Sequence, residues 1–225
     1  DHIIRYLRDR GARPEVLRVA RNFKCDICDA HRQPTKRPPA SSADHPQNGH
    51  EVLFDAFSWI RRSANAATMA LAVLDAGSDI LYVRLIDEKE IPGQTRQVRA
   101  GDLRHVFAAK WFPWMGRPKV MRYDPAGSAI SDEFREWVES LGIYCLPCAA
   151  DAHWQIGKIE RAIEAFKEVL DVFDELAPTD LTTAEMFGLQ ATARNDLIRI
   201  DGFSPLQRYA GRTPTGNTVN LSDEP

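Results

Sequence analysis

Three acidic residues lie in sequence contexts suited to binding divalent metal ions. Asp55 lies in the apolar run 52–57, Asp124 follows the strand-like run 119–123, and Glu160 lies in a helical pattern. Two aspartates on strands and a glutamate on a helix can hold two divalent cations about 4 Å apart, which activates an attacking oxygen and stabilises a leaving one in phosphodiester chemistry. Asp55, Asp124 and Glu160 are therefore the candidate catalytic and metal-binding residues.

The interval between Asp124 and Glu160 is not specific by itself. With 19 Asp and 13 Glu in 225 residues, a pair separated by thirty-five residues is expected about once by chance, and Asp132 and Glu168 form another. Asp132 follows Ser131, a typical helix N-cap residue, in a first turn where an acidic side chain stabilises the helix dipole. The surrounding strings, and not the interval, distinguish the two pairs.

Length and composition limit the class of protein. A chain of 225 residues with 44% hydrophobic residues can bury one substantial core with appendages. It contains no run of eighteen apolar residues and no signal-peptide pattern, which predicts an intracellular protein, nuclear or cytoplasmic and not secreted, without a membrane partner. The start without Met and the polar end suggest an excerpt from a longer polypeptide.

Charge is unevenly distributed along the chain. The net charge is −3, yet residues 5–37 are rich in Arg and Lys and the remainder is acidic. The basic segment fits a phosphate-contacting region and a solvated helix face equally well. Within it, residues 1–22 show helical periodicity broken by Gly11 and Pro14, which predicts two short helices.

A change of composition marks a domain boundary. Residues 33–47 are rich in Pro, Ser, Ala and Lys, which favours an extended linker. We therefore predict a helical module at 1–32, a linker at 33–49, a core at 50–200 and an extension or linker at 201–225.

The core has an alternating α/β pattern. Residues 51–59, 68–74 and 80–86 predict three consecutive antiparallel strands, the last two joined by a hairpin-like turn at 75–79. A helix, a strand, a helix and a strand follow at 98–111, 119–123, 131–141 and 143–146. This order predicts helices covering a mixed sheet.

The clearest predicted helix begins at His153. One apolar stripe runs along it, and Glu160 flanks the stripe, where it can face the sheet edge that carries the two aspartates. Gly157 costs about 1 kcal/mol relative to Ala in a helix interior, which predicts either a close approach or a tolerated glycine. The apolar stripe of the helix that begins at His153 consists of Ile156, Ile159, Ile163, Phe166, Leu170 and Phe173.

A further helix is predicted at 180–200.

Three strings resemble the integrase of long-terminal-repeat retroelements: 54–59, 123–128 and 153–161, of which the last is the most specific. The resemblance implies a ribonuclease-H-like core, with a five-stranded mixed sheet whose first three strands are antiparallel and which is flanked by helices. It implies 3′-end processing of element DNA and strand transfer into target DNA.

The resemblance also implies cofactors and partners. Two Mg²⁺ or Mn²⁺ ions would be held with Asp55 bridging them, Asp124 on one and Glu160 on the other, while water or a DNA 3′-hydroxyl attacks phosphorus without a covalent enzyme intermediate. Element ends and target DNA are the expected partners, and a homo-oligomer is expected because integrases act as multimers.

Five residues near Glu160 are candidates for nucleic-acid binding, with surface solvation as the alternative for each. Three could contact phosphates and two could orient DNA. They are Lys158, Arg161 and Lys167 for the phosphates, and His153 and Gln155 for orientation.

Cys25 and Cys28 resemble the cysteine half of the His-His-Cys-Cys zinc module that precedes integrase cores. A structural zinc ion needs four ligands. His2 and His31 are the weak local options, so the sequence predicts a partial module with an incomplete Zn²⁺ site.

Cys145 and Cys148 form a second CxxC pair, which suggests either buried core residues or a redox protein. A redox role would require a lowered thiol pKa. The other alternative is a catalytically decayed ribonuclease-H-like domain that binds nucleic acid.

Overall fold

The computed structural model describes residues 2–30, 47–86, 98–124, 131–148, 156–176, 181–198 and 202–211. Within these ranges no helix has both the length and the apolar character needed to cross a membrane. The predicted linker, apart from its last residues, lies outside them, as does the end of the predicted extension.

A five-stranded mixed sheet forms the centre of the fold. Its order is β3-β2-β1-β4-β5. β1 pairs antiparallel with β2 and β2 with β3, whereas β1 with β4 and β4 with β5 are parallel. The predicted mixed sheet with three antiparallel leading strands is therefore confirmed. The strands are β1 Glu51–Arg61, β2 Ala66–Asp75, β3 Leu81–Leu85, β4 Val120–Tyr123 and β5 Tyr144–Pro147.

Helices flank the sheet and precede it. The helix predicted at 98–111 continues to Met115, with a π-helical segment, Val106–Trp111, directly before Pro113, which has no N–H to donate to the preceding turn. The α-helices in the described ranges are α1 His2–Asp9, α2 Pro14–Asn22, α3 Asp26–Ala30, α4 Ala100–His105, α5 Phe112–Met115, α6 Asp132–Ser140, α7 Gly157–Leu176, α8 Thr183–Leu197 and α9 Pro205–Ala210.

Alternate residues of β1 supply the cores on both faces of the sheet, as the two-residue repeat of a strand requires. Leu53, Phe57 and Trp59 belong to the cluster that contains the apolar stripe of α7. Val52 and Phe54 belong to the opposite cluster, beneath α4 and α6. Because β1 is buried on both sides, its register and its facing are tightly constrained.

Segments predicted to lie outside the core contact it. Asn48 Nδ2 donates to the Arg208 carbonyl oxygen over 2.6 Å, and the Gly49 N–H donates to Asp75 Oδ1 over 2.7 Å. α9, within the predicted extension, packs on α8, and α1 and α3 pack on α8 and α7. The folded unit thus includes parts of the predicted linker, the extension and the helical module, whose third helix, α3, the sequence did not predict.

Ser131 caps α6 as predicted. Its side chain accepts a hydrogen bond from the Phe134 N–H. Asp132 follows in the first turn, where its side chain is 83% exposed and pairs with Arg135 at 3.0 Å. Asp132 is therefore a surface residue of a helix start.

Phe166→Ala tests the packing of α7 on the sheet. Phe166 is 1% exposed and meets Phe57 and Phe187 edge to face, so the truncation should lower the free energy of unfolding by about 3–5 kcal/mol. Urea unfolding followed by circular dichroism measures this change. Val169→Ala, on the same helix at a side chain 45% exposed, should change it by less than about 0.5 kcal/mol. Equal losses for the two variants would contradict the packing.

Candidate metal-binding and catalytic site

The parallel register of β1 and β4 brings Asp55 and Asp124 together. Leu53 is the register partner of Arg122, and the Phe54 and Tyr123 rings that follow stack with centroids 5.8 Å apart. Continuing the same register by one more residue places Asp55 beside Asp124. Adjacent strands lie about 4.8 Å apart, and register partners in parallel strands point to the same face.

Glu160 approaches the same face of the sheet from α7. Strand alternation puts Asp55 on the side of Leu53 and Phe57, which is the side that α7 covers. Glu160 lies in the first turn of α7, next to Ile159, which is fully buried in this cluster. The structure therefore brings the three predicted carboxylates to one region, where the middle of β1, the end of β4 and the start of α7 meet.

The electrostatics of Asp55 report this convergence. Its pKa is raised from the usual value, mainly because the half-buried carboxyl group loses hydration. The hydrogen bond from the Ala56 N–H to Oδ1, 2.7 Å long, opposes that shift, while the negative charges of Asp124 and Glu160 add to it. The positive charge of Lys167 acts in the opposite direction. The charges of both other carboxylates therefore act on the pKa of Asp55.

The donor types suit a hard divalent cation, because carboxylate oxygens are the preferred ligands of Mg²⁺ and Mn²⁺. In the part of the chain that the structure describes, no three His, Cys, Asp or Glu side chains are grouped closely enough to hold one metal ion. What links the three carboxylates among the described residues is the effect of the charges of Asp124 and Glu160 on the pKa of Asp55.

Lys167 lies close enough to Asp55 for the two charges to interact. Its Nζ is 5.2 Å from the centroid of the Phe57 ring, a cation–π contact. Burial lowers its pKa, whereas the charges of Asp55 and Asp171 raise it. Lys167 is thus a predicted phosphate contact whose charge acts on Asp55.

The other predicted nucleic-acid contacts have different surroundings. Arg161 is exposed on α7, and its Nε donates to the Gly157 carbonyl oxygen. Lys158 Nζ forms an ion pair with Asp79 on the turn between β2 and β3. His153 and Gln155 lie outside the described residues.

Gly157 has a different role from the one expected of a helix-interior glycine. It is the first residue of α7, and a Cβ there would meet no heavy atom of the described residues within 4 Å. The described residues thus make no close approach to Gly157, which fits a tolerated glycine. At a helix start a glycine costs less than in the interior, because fewer intrahelical hydrogen bonds depend on it.

The second CxxC pair has the properties of buried core cysteines. Burial raises the pKa of the Cys145 thiol to about 11. The Cys148 N–H donates to the Tyr123 carbonyl oxygen over 3.0 Å, and burial together with nearby Asp124 and Glu160 raises the pKa of its thiol. Both shifts are opposite to the one that a redox role requires.

The zinc site stays a prediction. Cys25 is half-buried just before α3, while the side chains of Cys28 and His2, and the whole of His31, lie outside what the structure describes.

Two ion pairs, one near the site and one at the other end of α7, have no signature in the sequence. Arg122 Nε pairs with Glu51 across β4 and β1 at 2.6 Å, on the same face as the carboxylates. At the far end of α7, Arg61 Nε lies 3.3 Å from Asp174 Oδ1 in a buried ion pair. Oppositely charged residues this far apart in the chain can be paired only once the strand register and the helix position are known.

Comparison with known proteins identifies the fold. No protein-family model matches the chain, and no curated protein matches it. Solved structures do match, at low sequence identity.

The HTLV-2 integrase catalytic core domain in complex with magnesium superimposes with a TM-score of 0.58 at 17% identity, over 74% of this chain and 99% of that one. The BIV integrase core gives 0.54 at 15%, over 72% and 95%. The simian T-cell lymphotropic virus intasome in complex with the PP2A regulatory subunit B56 gamma gives 0.55 at 17%, over 77% and 60%. At these identities the likeness shows the fold, which is the ribonuclease-H-like fold of retroviral integrase catalytic cores.

The raised pKa of Asp55 predicts a pH-dependent effect of Asp55→Asn in metal-free protein. Because the folded pKa lies above the unfolded value of about 3.9, ionisation costs the native state stability as pH rises through that window. Asn cannot ionise and its Oδ1 can still accept from Ala56. The melting temperature of the variant minus that of the wild type, both measured in EDTA, should therefore increase between pH 4 and pH 7.

Asp132→Asn applies the same replacement at an exposed side chain and serves as the control. A difference between Asp55→Asn and wild type that stays constant or falls as pH rises would contradict the electrostatic account.

The buried thiols should react slowly. At pH 8 a thiol with a pKa of about 11 has at least about 100-fold less thiolate than an ordinary cysteine, and the thiolate is the nucleophile. Iodoacetamide labelling of Cys145, followed by peptide mass spectrometry, should be slower by at least that factor in native protein than in urea-unfolded protein. Equal rates in the two states would contradict the burial.

Proposed function

We propose that the core is a divalent-metal-dependent polynucleotidyl transferase of the integrase type that acts on DNA. One arrangement carries the proposal: the parallel register of β1 and β4, continued past Leu53 and Arg122, leads to Asp55 and Asp124, and Glu160 lies in the first turn of the helix that covers the same face. The fold supports it, since the superimposable structures include integrase cores, and the HTLV-2 core was obtained in complex with magnesium.

Asp55, Asp124 and Glu160 would together hold two Mg²⁺ or Mn²⁺ ions, because carboxylate oxygens are the ligands that these cations prefer. When bound, the ions would activate the attacking oxygen and stabilise the leaving one. Repulsion between the carboxylates contributes to the raised pKa of Asp55. Bound cations would reduce this repulsion.

The neighbouring side chains of the chain support binding and orientation. The Ala56 N–H holds Asp55 Oδ1, so one carboxylate oxygen has a defined direction. Lys167, next to Asp55, would contact a DNA phosphate, and the exposed Arg161 on the same helix would contact another. His153 and Gln155 would orient DNA at the start of this helix. Substrates would be the element ends and target DNA of a long-terminal-repeat retroelement.

We further propose that the chain assembles as a homo-oligomer on DNA. The HTLV-2 core was obtained in a dimeric and a trimeric form, and the simian T-cell lymphotropic virus protein within an intasome.

Replacement of each carboxylate tests the proposal. We expect each of Asp55→Asn, Asp124→Asn and Glu160→Gln to reduce the rate of Mg²⁺-dependent strand transfer by more than about 100-fold. Removing a metal ligand should lower activity more than removing a residue that only supports a ligand, which typically costs about 10- to 100-fold. Strand transfer into a labelled oligonucleotide duplex measures the loss. DNA binding in EDTA, measured by fluorescence anisotropy, should survive.

The chain offers a matched control pair. Asp132→Asn and Glu168→Gln have the same separation in sequence as Asp124 and Glu160, and should leave strand transfer within about twofold of wild type. Wild-type protein that binds DNA but shows no metal-dependent strand transfer would instead favour the decayed, nucleic-acid-binding alternative.

A further inference from the structure

Lys158 joins the start of α7 to the turn between β2 and β3. It is the second residue of the helix, two residues before Glu160. Its Nζ lies 2.6 Å from Asp79 Oδ1 and donates to the Ala76 carbonyl oxygen over 2.5 Å. These two contacts bind the ammonium group of Lys158 to the turn between β2 and β3.

Asp79 is itself firmly held. Its backbone adopts the left-handed region, φ 65°, which Asp tolerates better than most residues. Its other carboxylate oxygen pairs with Arg208 Nη1 from α9 at 2.8 Å, and its carbonyl oxygen accepts from Arg194 Nη1 of α8 at 2.7 Å. With a side chain only 9% exposed, Asp79 is a fixed point to which the start of α7 is attached.

The first turn of α7 needs such an attachment. The first N–H groups of a helix have no intrahelical acceptors, helix ends fray, and Gly157 at the first position adds backbone freedom. Buried Ile156 and Ile159 hold one side of this turn. At about 100° per residue, Lys158 and Glu160 point to nearly opposite sides of the helix, so Lys158 can hold the turn without entering the site.

We propose that Lys158 and Asp79 form a positioning pair that fixes the first turn of α7 and thereby aims Glu160 at Asp55. The proposal rests on the proposed function, since it concerns the metal-binding role of Glu160. It gives Lys158 a role through Glu160 instead of a contact with a DNA phosphate.

Mn²⁺ binding without DNA tests the pair, because a phosphate contact would not affect it. The full chain is titrated with Mn²⁺, and free Mn²⁺ is measured by electron paramagnetic resonance. Lys158→Met and Asp79→Asn should each weaken binding about tenfold, in the range of outer-shell partners of metal ligands. Lys158→Arg, which keeps the charge and the donors, should restore it to within about threefold of wild type, and the double variant should be no weaker than either single one.

Arg208→Gln separates positioning from general stability. It removes the other ionic partner of Asp79 and leaves the pair with Lys158 in place. We expect a lower melting temperature but Mn²⁺ binding within about twofold of wild type.

The outcomes distinguish this inference from the proposed function. If Glu160→Gln weakens Mn²⁺ binding and Lys158→Met leaves it unchanged, the positioning pair is overturned and the proposed function is not. The same holds if Lys158→Met lowers the affinity for DNA without lowering the affinity for Mn²⁺. Absence of any Mn²⁺ binding that depends on Glu160 overturns the proposed function as well.

Discussion

The candidate site depends on one constraint, the parallel register between β1 and β4. A slip of one residue would turn every side chain of β1 to the other face of the sheet. Phe54 and Phe57 would then each point into the opposite hydrophobic cluster, and Asp55 would be separated from Asp124. Packing on both faces of β1 forbids that slip. The apolar residues between the charged ones thus fix the geometry of the carboxylates, although they take no part in the chemistry.

α7 supplies the second requirement, a rigid carrier for Glu160. Its apolar stripe packs on the sheet, and polar contacts secure it at both ends. Near the end of the helix, the Trp59 indole N–H donates to Asp171 over 2.9 Å, and Arg61 pairs with buried Asp174, whose Oδ2 also accepts from the Ser63 N–H. At the start, Lys158 reaches Asp79. Dispersion and burial hold the middle of the helix, whereas directional bonds set its ends, where a carboxylate must be aimed.

Electrostatics at the site work against stability. Half-burial and two neighbouring carboxylates raise the pKa of Asp55, so the metal-free native state bears the cost of keeping it ionised. The Cys148 thiol beside Asp124 is affected in the same direction, which keeps it protonated and unreactive. A site that concentrates like charges in this way is suited to attract cations, and the surrounding core must supply the stability that the site does not.

Sequence patterns by themselves determined the five strands, the long helices, the cap at Ser131 and the apolar stripe, because each rests on local periodicity or on short-range hydrogen bonding. They also singled out Asp55, Asp124 and Glu160, through the strings around them. Only the tertiary structure decided that the register of β1 and β4 leads Asp55 and Asp124 to the same face and that Lys158 is bound to Asp79, since both depend on strand pairing and helix docking between distant segments. Local patterns encode which face of an element is apolar, but contacts between distant charges are decided only when those faces pack.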